Sequence, residues 1–256
     1  RNDEMKAVLE KSKFQLSGFH RSVLLGLVGV GIVGFIAGIA SGNQDKAWTA
    51  LLINTLFFGG IAFGGACFSL IFTITKANWG RPIKRIAEGI SAFLPVTFIL
   101  FVLLFFGVEH FFEWVDHDKV IHSKEAWLNM SSFVKRNVIL FGIFLALYWV
   151  YIKATVRPDV GLAKKLVNWN NPFANSLIGG YASQEQEEAK SVQTTKVMGP
   201  ILAIIAGLLT TLIAFDWMMS IDQEWFSTMF GVQYLVADLI SAAAVMMMIA
   251  GSFRSK

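Results

Sequence analysis

Six stretches of the chain stay apolar for about 20 residues, long enough to cross a bilayer as α-helices. They run over 22–40, 48–74, 91–112, 133–154, 197–217 and 229–251. The first reads SVLLGLVGVGIVGFIAGIA. Runs this long exclude the short alternating strands of a membrane barrel. A helix is then the way to satisfy every backbone group in lipid. The predicted fold is an all-α integral membrane protein, a polytopic helical bundle with six transmembrane helices in this chain. The predicted organisation is an N-terminal segment (1–21), four helices (22–154), a polar connection (155–196) and two further helices (197–256).

Charge supplies the orientation. Lys and Arg crowd the N-terminal segment (Arg1, Lys6, Lys11, Lys13, Arg21) and the loop after the second stretch (Lys76, Arg81, Lys84, Arg85). They recur in the long connection (Lys153, Arg157, Lys164, Lys165, Lys190, Lys196) and at the end (Arg254, Lys256). Only Lys46, Lys119, Lys124, Lys135 and Arg136 fall on the other side. The bias predicts that both ends of this chain are cytoplasmic. The connection, with its Gly179–Gly180 turn and the run Glu185-Gln186-Glu187-Glu188, reads as a surface loop.

Composition agrees with a membrane protein and removes several functions. Charged residues are 16% of the chain, against about 25% in soluble domains. The single Cys67 excludes internal disulfides and any cysteine-paired metal or iron–sulfur site. No CxxCH is present for a c-type haem. His110 is the one histidine inside a predicted span, so paired axial ligands for a membrane haem are not expected. No phosphate-binding loop, dinucleotide fingerprint or serine-nucleophile motif appears. No nucleic-acid partner and no secretory signal before the first stretch are expected.

Candidate chemistry gathers at the outward end of the third stretch, FFGVEHFFEWVDHD. Continued as an α-helix, it would place Glu109 and Glu113 with Asp116 or His117 on one face, and His110 with Glu113 and His117 close to a common face. Asp216, Asp222 and Glu224 arrive at the same side. Groups of this type at a partly desolvated helix end can pass protons to water. A solvated acidic rim is the plainer alternative. No HExxH is present, so a metal site is not predicted.

Asp238 lies about nine residues inside the last stretch, with Tyr234 and Ser241 on its face. A carboxyl group at that depth is either a proton carrier or a neutral helix–helix hydrogen bond. Asn54 reads as a helix–helix hydrogen bond. Gly60 and Gly64 are spaced for close helix approach, or reflect the general glycine enrichment of membrane helices. Trp48, Trp114, Trp217 and Trp225 are expected in an interfacial belt, with Trp79 and Trp149 at the opposite ends.

Three motifs carry a resemblance: NWGRPIKRIAEGISAFLP at 78–95, GVEHFFEWVDHD with HSKEAWLN at 107–129, and FDWMMSIDQEWFSTMFGVQY at 215–234. Together they resemble the F-type membrane subunit of bacterial alternative complex III, within the NrfD-like, polysulfide-reductase-type membrane proteins. The resemblance implies two four-helix bundles and about ten spans. This chain starts at Arg1 rather than Met and offers six, so it is expected to be part of a longer protein. It implies a multi-pass place in the bacterial inner membrane and a quinol:electron-acceptor (cytochrome c) oxidoreductase complex. The partners would be a homologous quinol-binding membrane subunit, an iron–sulfur subunit and c-type cytochromes. Haem c and iron–sulfur clusters would sit in those partners, and this chain would carry no redox cofactor. It would scaffold the complex and conduct protons, and would not be catalytic alone. Glu109, His110, Glu113, Asp116, His117, Asp216, Tyr234 and Asp238 are then the proton-path or quinol-proximal candidates, with no catalytic residue assigned. Two other readings compete: a subunit that binds a quinol such as menaquinol in its own right, and a stand-alone secondary transporter. No Gly/Pro-interrupted pair of spans speaks for the transporter.

Overall fold

The computed structural model describes residues 17–116, 120–167 and 172–254. Among the described residues, six helical segments are long and apolar enough to span a membrane: Gly18–Ala40, Gln44–Ile74, Arg81–His110, Met130–Val167, Gln184–Ile221 and Phe230–Ser252. The described residues contain no strand. The helices are α1 (Gly18–Ala40), α2 (Gln44–Ile74), α3 (Arg81–Ser91), α4 (Leu94–Leu104), α5 (Met130–Val167), α6 (Pro172–Leu177), α7 (Gln184–Ile213) and α8 (Phe230–Arg254). The described residues form two compact units, one within 38–148 and 199–256, the other within 1–37 and 149–198.

In the first unit α2 is the central helix. Its Gly59, Gly60, Gly64, Gly65 and Ala66 are buried, and this small surface admits other backbones at close range. A Cβ on Gly64 would meet the Asp238 carbonyl oxygen, and lie 2.8 Å from the Ala242 Cβ. One on Gly65 would lie 2.8 Å from the Ala87 oxygen. The glycine spacing therefore serves close packing, as the small residues of membrane helices do.

The third span differs from the predicted continuous helix over 91–112. It begins ten residues earlier, at Arg81, and is broken into α3 and α4. Pro95 has no N–H for a regular turn. The backbone tightens instead, with Ala92 N–H on the Gly89 oxygen and Phe93 N–H on the Ile90 oxygen. Side chains tie down the break: Ser91 Oγ donates to the Glu88 oxygen at 2.7 Å, Tyr148 Oη donates to Ser91 Oγ at 2.8 Å, and Thr97 Oγ1 donates to the Phe93 oxygen at 3.2 Å.

Below this break and toward His110, an aromatic core fills the unit. Trp217 packs on Phe101, Phe105, Phe112 and Phe133 with ring centroids 4.9–6.1 Å apart. Trp114 stacks on Phe112 at 5.1 Å. Trp114 and Trp217 are 1% and 0% exposed, so they are core residues and not interfacial anchors. Trp48 is buried too, whereas Trp225 keeps the exposed position expected of a belt. Asn54 is also corrected: its amide donates to the Ala50 oxygen of its own helix at 2.8 Å, and it makes no hydrogen bond to another helix among the described residues.

The second unit overturns the reading of 155–196 as a loop. α5 runs on to Val167, α6 follows, and α7 starts at Gln184. Ser183 caps α7, its Oγ accepting the Gln186 N–H at 3.3 Å; serine three residues before glutamine is a capping-box pattern. Glu187 is 3% exposed and pairs with Arg157 at 2.7 Å, while Arg157 Nη2 donates to the Gly179 oxygen at 3.0 Å. A charged pair of this kind reads as a loop from composition and packs as a helix contact. A cleft of about 730 Å³ lies beside it, lined by Lys164, Lys165, Asn175 and Tyr181 among others. Burial, then the Glu187 and Glu188 carboxylates, hold the Tyr181 hydroxyl above its ordinary range, so it stays a proton donor to Gln184. None of the residues of α1 is buried.

Candidate functional site

The titratable groups of the first unit occupy distinct depths along α2, and each has a different fate. Nearest the Gln44 end is a histidine–aspartate pair. His110 Nδ1 lies 2.7 Å from Asp45 Oδ1, which places the ring proton on Nδ1. The imidazole stacks on Trp48, and its other nitrogen is 3.9 Å from Glu109. Gly107 makes room for this, since a Cβ there would collide with the Trp48 ring. Asp45 was not singled out from sequence; its one signal is an acid in the first turn of α2.

The helical face predicted for Glu109, Glu113 and Asp116 does not form. The α-helix ends at Leu104, a 3-10 segment covers Phe105–His110, Phe112 is extended, and a second 3-10 turn covers Glu113–Val115. The burial of Phe112 and Trp114 in the aromatic core pulls the chain out of helical register. Glu113 and Asp116 are exposed, and no hydrogen bond or ion pair joins Glu113 to His110 among the described residues. His117 lies outside the described residues. Because Asp45 is 82% exposed at its side chain, its pair with His110 is solvent-screened. A double-mutant cycle of His110→Gln with Asp45→Asn is expected to give a stability coupling of no more than about 1 kcal/mol. A larger coupling in chemical or thermal unfolding would mean that the pair is shielded from water.

Asp216 belongs to the core. It sits in a single π-helical turn, Ala214–Met218, and is 0% exposed. Such a turn inserts an extra residue and re-aims the side chains that follow, commonly at functional positions. Its carboxylate accepts Arg136 Nε at 2.6 Å, Arg136 Nη2 at 2.8 Å, Asn137 Nδ2 at 2.6 Å and Trp127 Nε1 at 3.0 Å. Trp217 Nε1 in turn donates to Asn137 Oδ1 at 3.0 Å. Arg136 lies over the Trp127 ring at 4.2 Å. Asp216 was expected at an acidic outward rim; the structure makes it the centre of a saturated, bidentate ion pair. Four donors on two oxygens occupy the carboxylate fully.

Asp238 is the opposite case. It is 5% exposed, and it rests on Gly60, with the Tyr234 hydroxyl beside it. Tyr234 Oη donates to the Leu56 oxygen at 3.1 Å. No ion pair reaches Asp238 among the described residues. Cys67 lies on the same face of α2, seven residues beyond Gly60.

A third buried carboxylate was missed from sequence. Glu88 of α3 is 7% exposed, accepts Ser69 Oγ at 3.1 Å, pairs with Arg85 and lies 3.7 Å from Lys84. Its neighbours Lys84 and Arg85 disguised it as part of a polar loop. Among the described residues, no three His, Cys, Asp or Glu side chains converge as metal ligands would.

Six apolar helices and these buried polar clusters define a polytopic helical membrane protein. Residues 38–256 match the family model of polysulphide reductase, NrfD, and the chain belongs to that family. Its members are membrane subunits of quinone-interacting redox complexes and work with redox partner subunits. No curated protein matches the chain.

Proposed function

We propose that this chain is the F-type membrane subunit of an alternative complex III, a quinol:electron-acceptor oxidoreductase. It holds the complex in the bacterial inner membrane with both ends of this stretch cytoplasmic, carries no redox cofactor, and moves protons. Quinol oxidation, haem c and iron–sulfur chemistry belong to the partner subunits. The observation that carries the reading is the contrast between two buried carboxylates. Asp216 is neutralised by Arg136, whereas Asp238, at mid-depth on glycine backbone, has no cation paired with it among the described residues. An uncompensated carboxyl group inside a span is costly and typically marks an ion or proton pathway. Glu88 and the His110–Asp45 pair lie on either side of it along α2. Gly60 to Ser69 is about 14 Å of helix rise, and Gly60 to Trp48 about 18 Å. Water must bridge such intervals.

Two measurements test this. Extraction from native membranes in mild detergent is expected to bring down several partners with haem c absorbance; a colourless, partner-free protein rejects the complex. In the assembled complex, Asp238→Asn is expected to abolish proton release attributable to this subunit while quinol oxidation persists. Unchanged proton release in that variant, with the complex intact, removes Asp238 from the path. The break of the third span at Ala92–Phe93 favours a second reading, a transporter, because discontinuous helices are typical there. The partner-free outcome would select it.

A further inference from the structure

At the Ile74 end of α2 the chain turns back into α3 through a tight connection. Lys76 takes the left-handed conformation (φ 52°), Ala77 N–H bonds the Phe72 oxygen, and Asn78–Gly80 forms one 3-10 turn. Gly80 is buried against Phe72, where a Cβ would lie 3.0 Å from the ring. Phe72 also supports Trp79 edge-on, at 5.8 Å between centroids. The turn thus presents Trp79 to its surroundings, 76% exposed.

The charge around it is one-sided. From Lys46 to Ala87 the sequence contains no Asp or Glu, and this turn carries Lys76, Arg81, Lys84 and Arg85. The next acid, Glu88, is buried and engaged by Ser69, Arg85 and Lys84. Lys76 and Arg81 are exposed, five residues apart across the turn, and make no ion pair among the described residues. On the membrane side of them, α2 exposes Ile71 (41%) and Ile74 (45%).

We propose that Lys76, Arg81 and Trp79, with Ile71 and Ile74, form a binding site for an anionic phospholipid of the leaflet on that side. The cations hold the phosphate, the indole sits at headgroup level, and the isoleucines take the first acyl methylenes. A free phosphate would use the cations and leave the apolar half of the surface idle. A zwitterionic lipid would use the apolar half and gain little from the cations. The proposal rests on the membrane placement alone and not on the redox role.

The test is thermal unfolding of the full chain in non-ionic detergent, with phosphatidylglycerol, phosphatidylcholine or inorganic phosphate added. Phosphatidylglycerol is expected to raise Tm and the other two to leave it unchanged. Lys76→Gln with Arg81→Gln should cut that rise by half or more. An equal rise with phosphatidylcholine, an equal rise with phosphate, or an undiminished rise in the double variant each overturns the site. Should the double variant fold poorly, native mass spectrometry of the unaltered protein decides. Retention of phosphatidylglycerol over phosphatidylcholine from an equal mixture supports the site, and equal retention overturns it.

Discussion

Arg136→Ala is expected to destabilise the protein by about 3–5 kcal/mol, the cost of stripping the partner from a buried charge. Asp216 is wholly enclosed and takes two of its four donors from that guanidinium. The remaining donors, Asn137 and Trp127, are neutral. Losing Arg136 also removes its stacking on Trp127 and its hydrogen bond to the Trp127 oxygen. The damage should reach Trp217, whose indole hangs on the same Asn137. Arg136→Met combined with Asp216→Leu removes both charges and should recover most of the loss, because an apolar pair of similar volume replaces a buried ion pair at little cost. Reversible unfolding in mixed micelles measures both. A loss under about 1 kcal/mol in the single variant would show that Asp216 does not depend on Arg136 for its charge balance.

Gly64→Val is the second large effect, expected at about 1–3 kcal/mol or more, as for overpacking a dense core. The colliding atoms are the Asp238 carbonyl and the Ala242 Cβ, and neither can rotate away as a flexible side chain would. α8 must move off α2, carrying Asp238 with it. Gly142→Ala and Gly207→Ala are the controls, since a Cβ at either meets nothing within 4 Å. These should lie within about 0.5 kcal/mol of the unaltered protein or slightly above it. If Gly64→Val behaves like the controls, the α2–α8 contact is looser than its geometry.

Hydropathy alone was enough to count the six spans, because the length of apolar runs is set by the bilayer and needs no tertiary information. The close packing of Gly60 and Gly64 and the burial of Asp238 were also legible, since a glycine pair and a carboxyl group stand out in an apolar helix. What escaped was everything decided by neighbours distant in sequence. Asp216 looked like a loop acid until Arg136, eighty residues earlier, closed on it. Trp114 and Trp217 carried the composition of an interfacial belt and the packing of a core. Glu88 was hidden because Lys84 and Arg85 on the same turn made the segment look soluble, whereas they pair with the carboxylate they surround. Glu109 and Glu113 were placed on one helical face by a period that Phe112 and Trp114 override.

The broken third span bears on how the chain enters the membrane. Each half, α3 and α4, has 11 residues, about half of what a bilayer crossing needs. The α3 half also carries the buried carboxylate of Glu88, which is costly to insert without partners. Glu88 is accommodated by Arg85 and Lys84 of its own helix and by Ser69 of α2. The second and third spans are therefore expected to insert as a hairpin, with the helix synthesised first acting as part of the solvent into which the next one partitions.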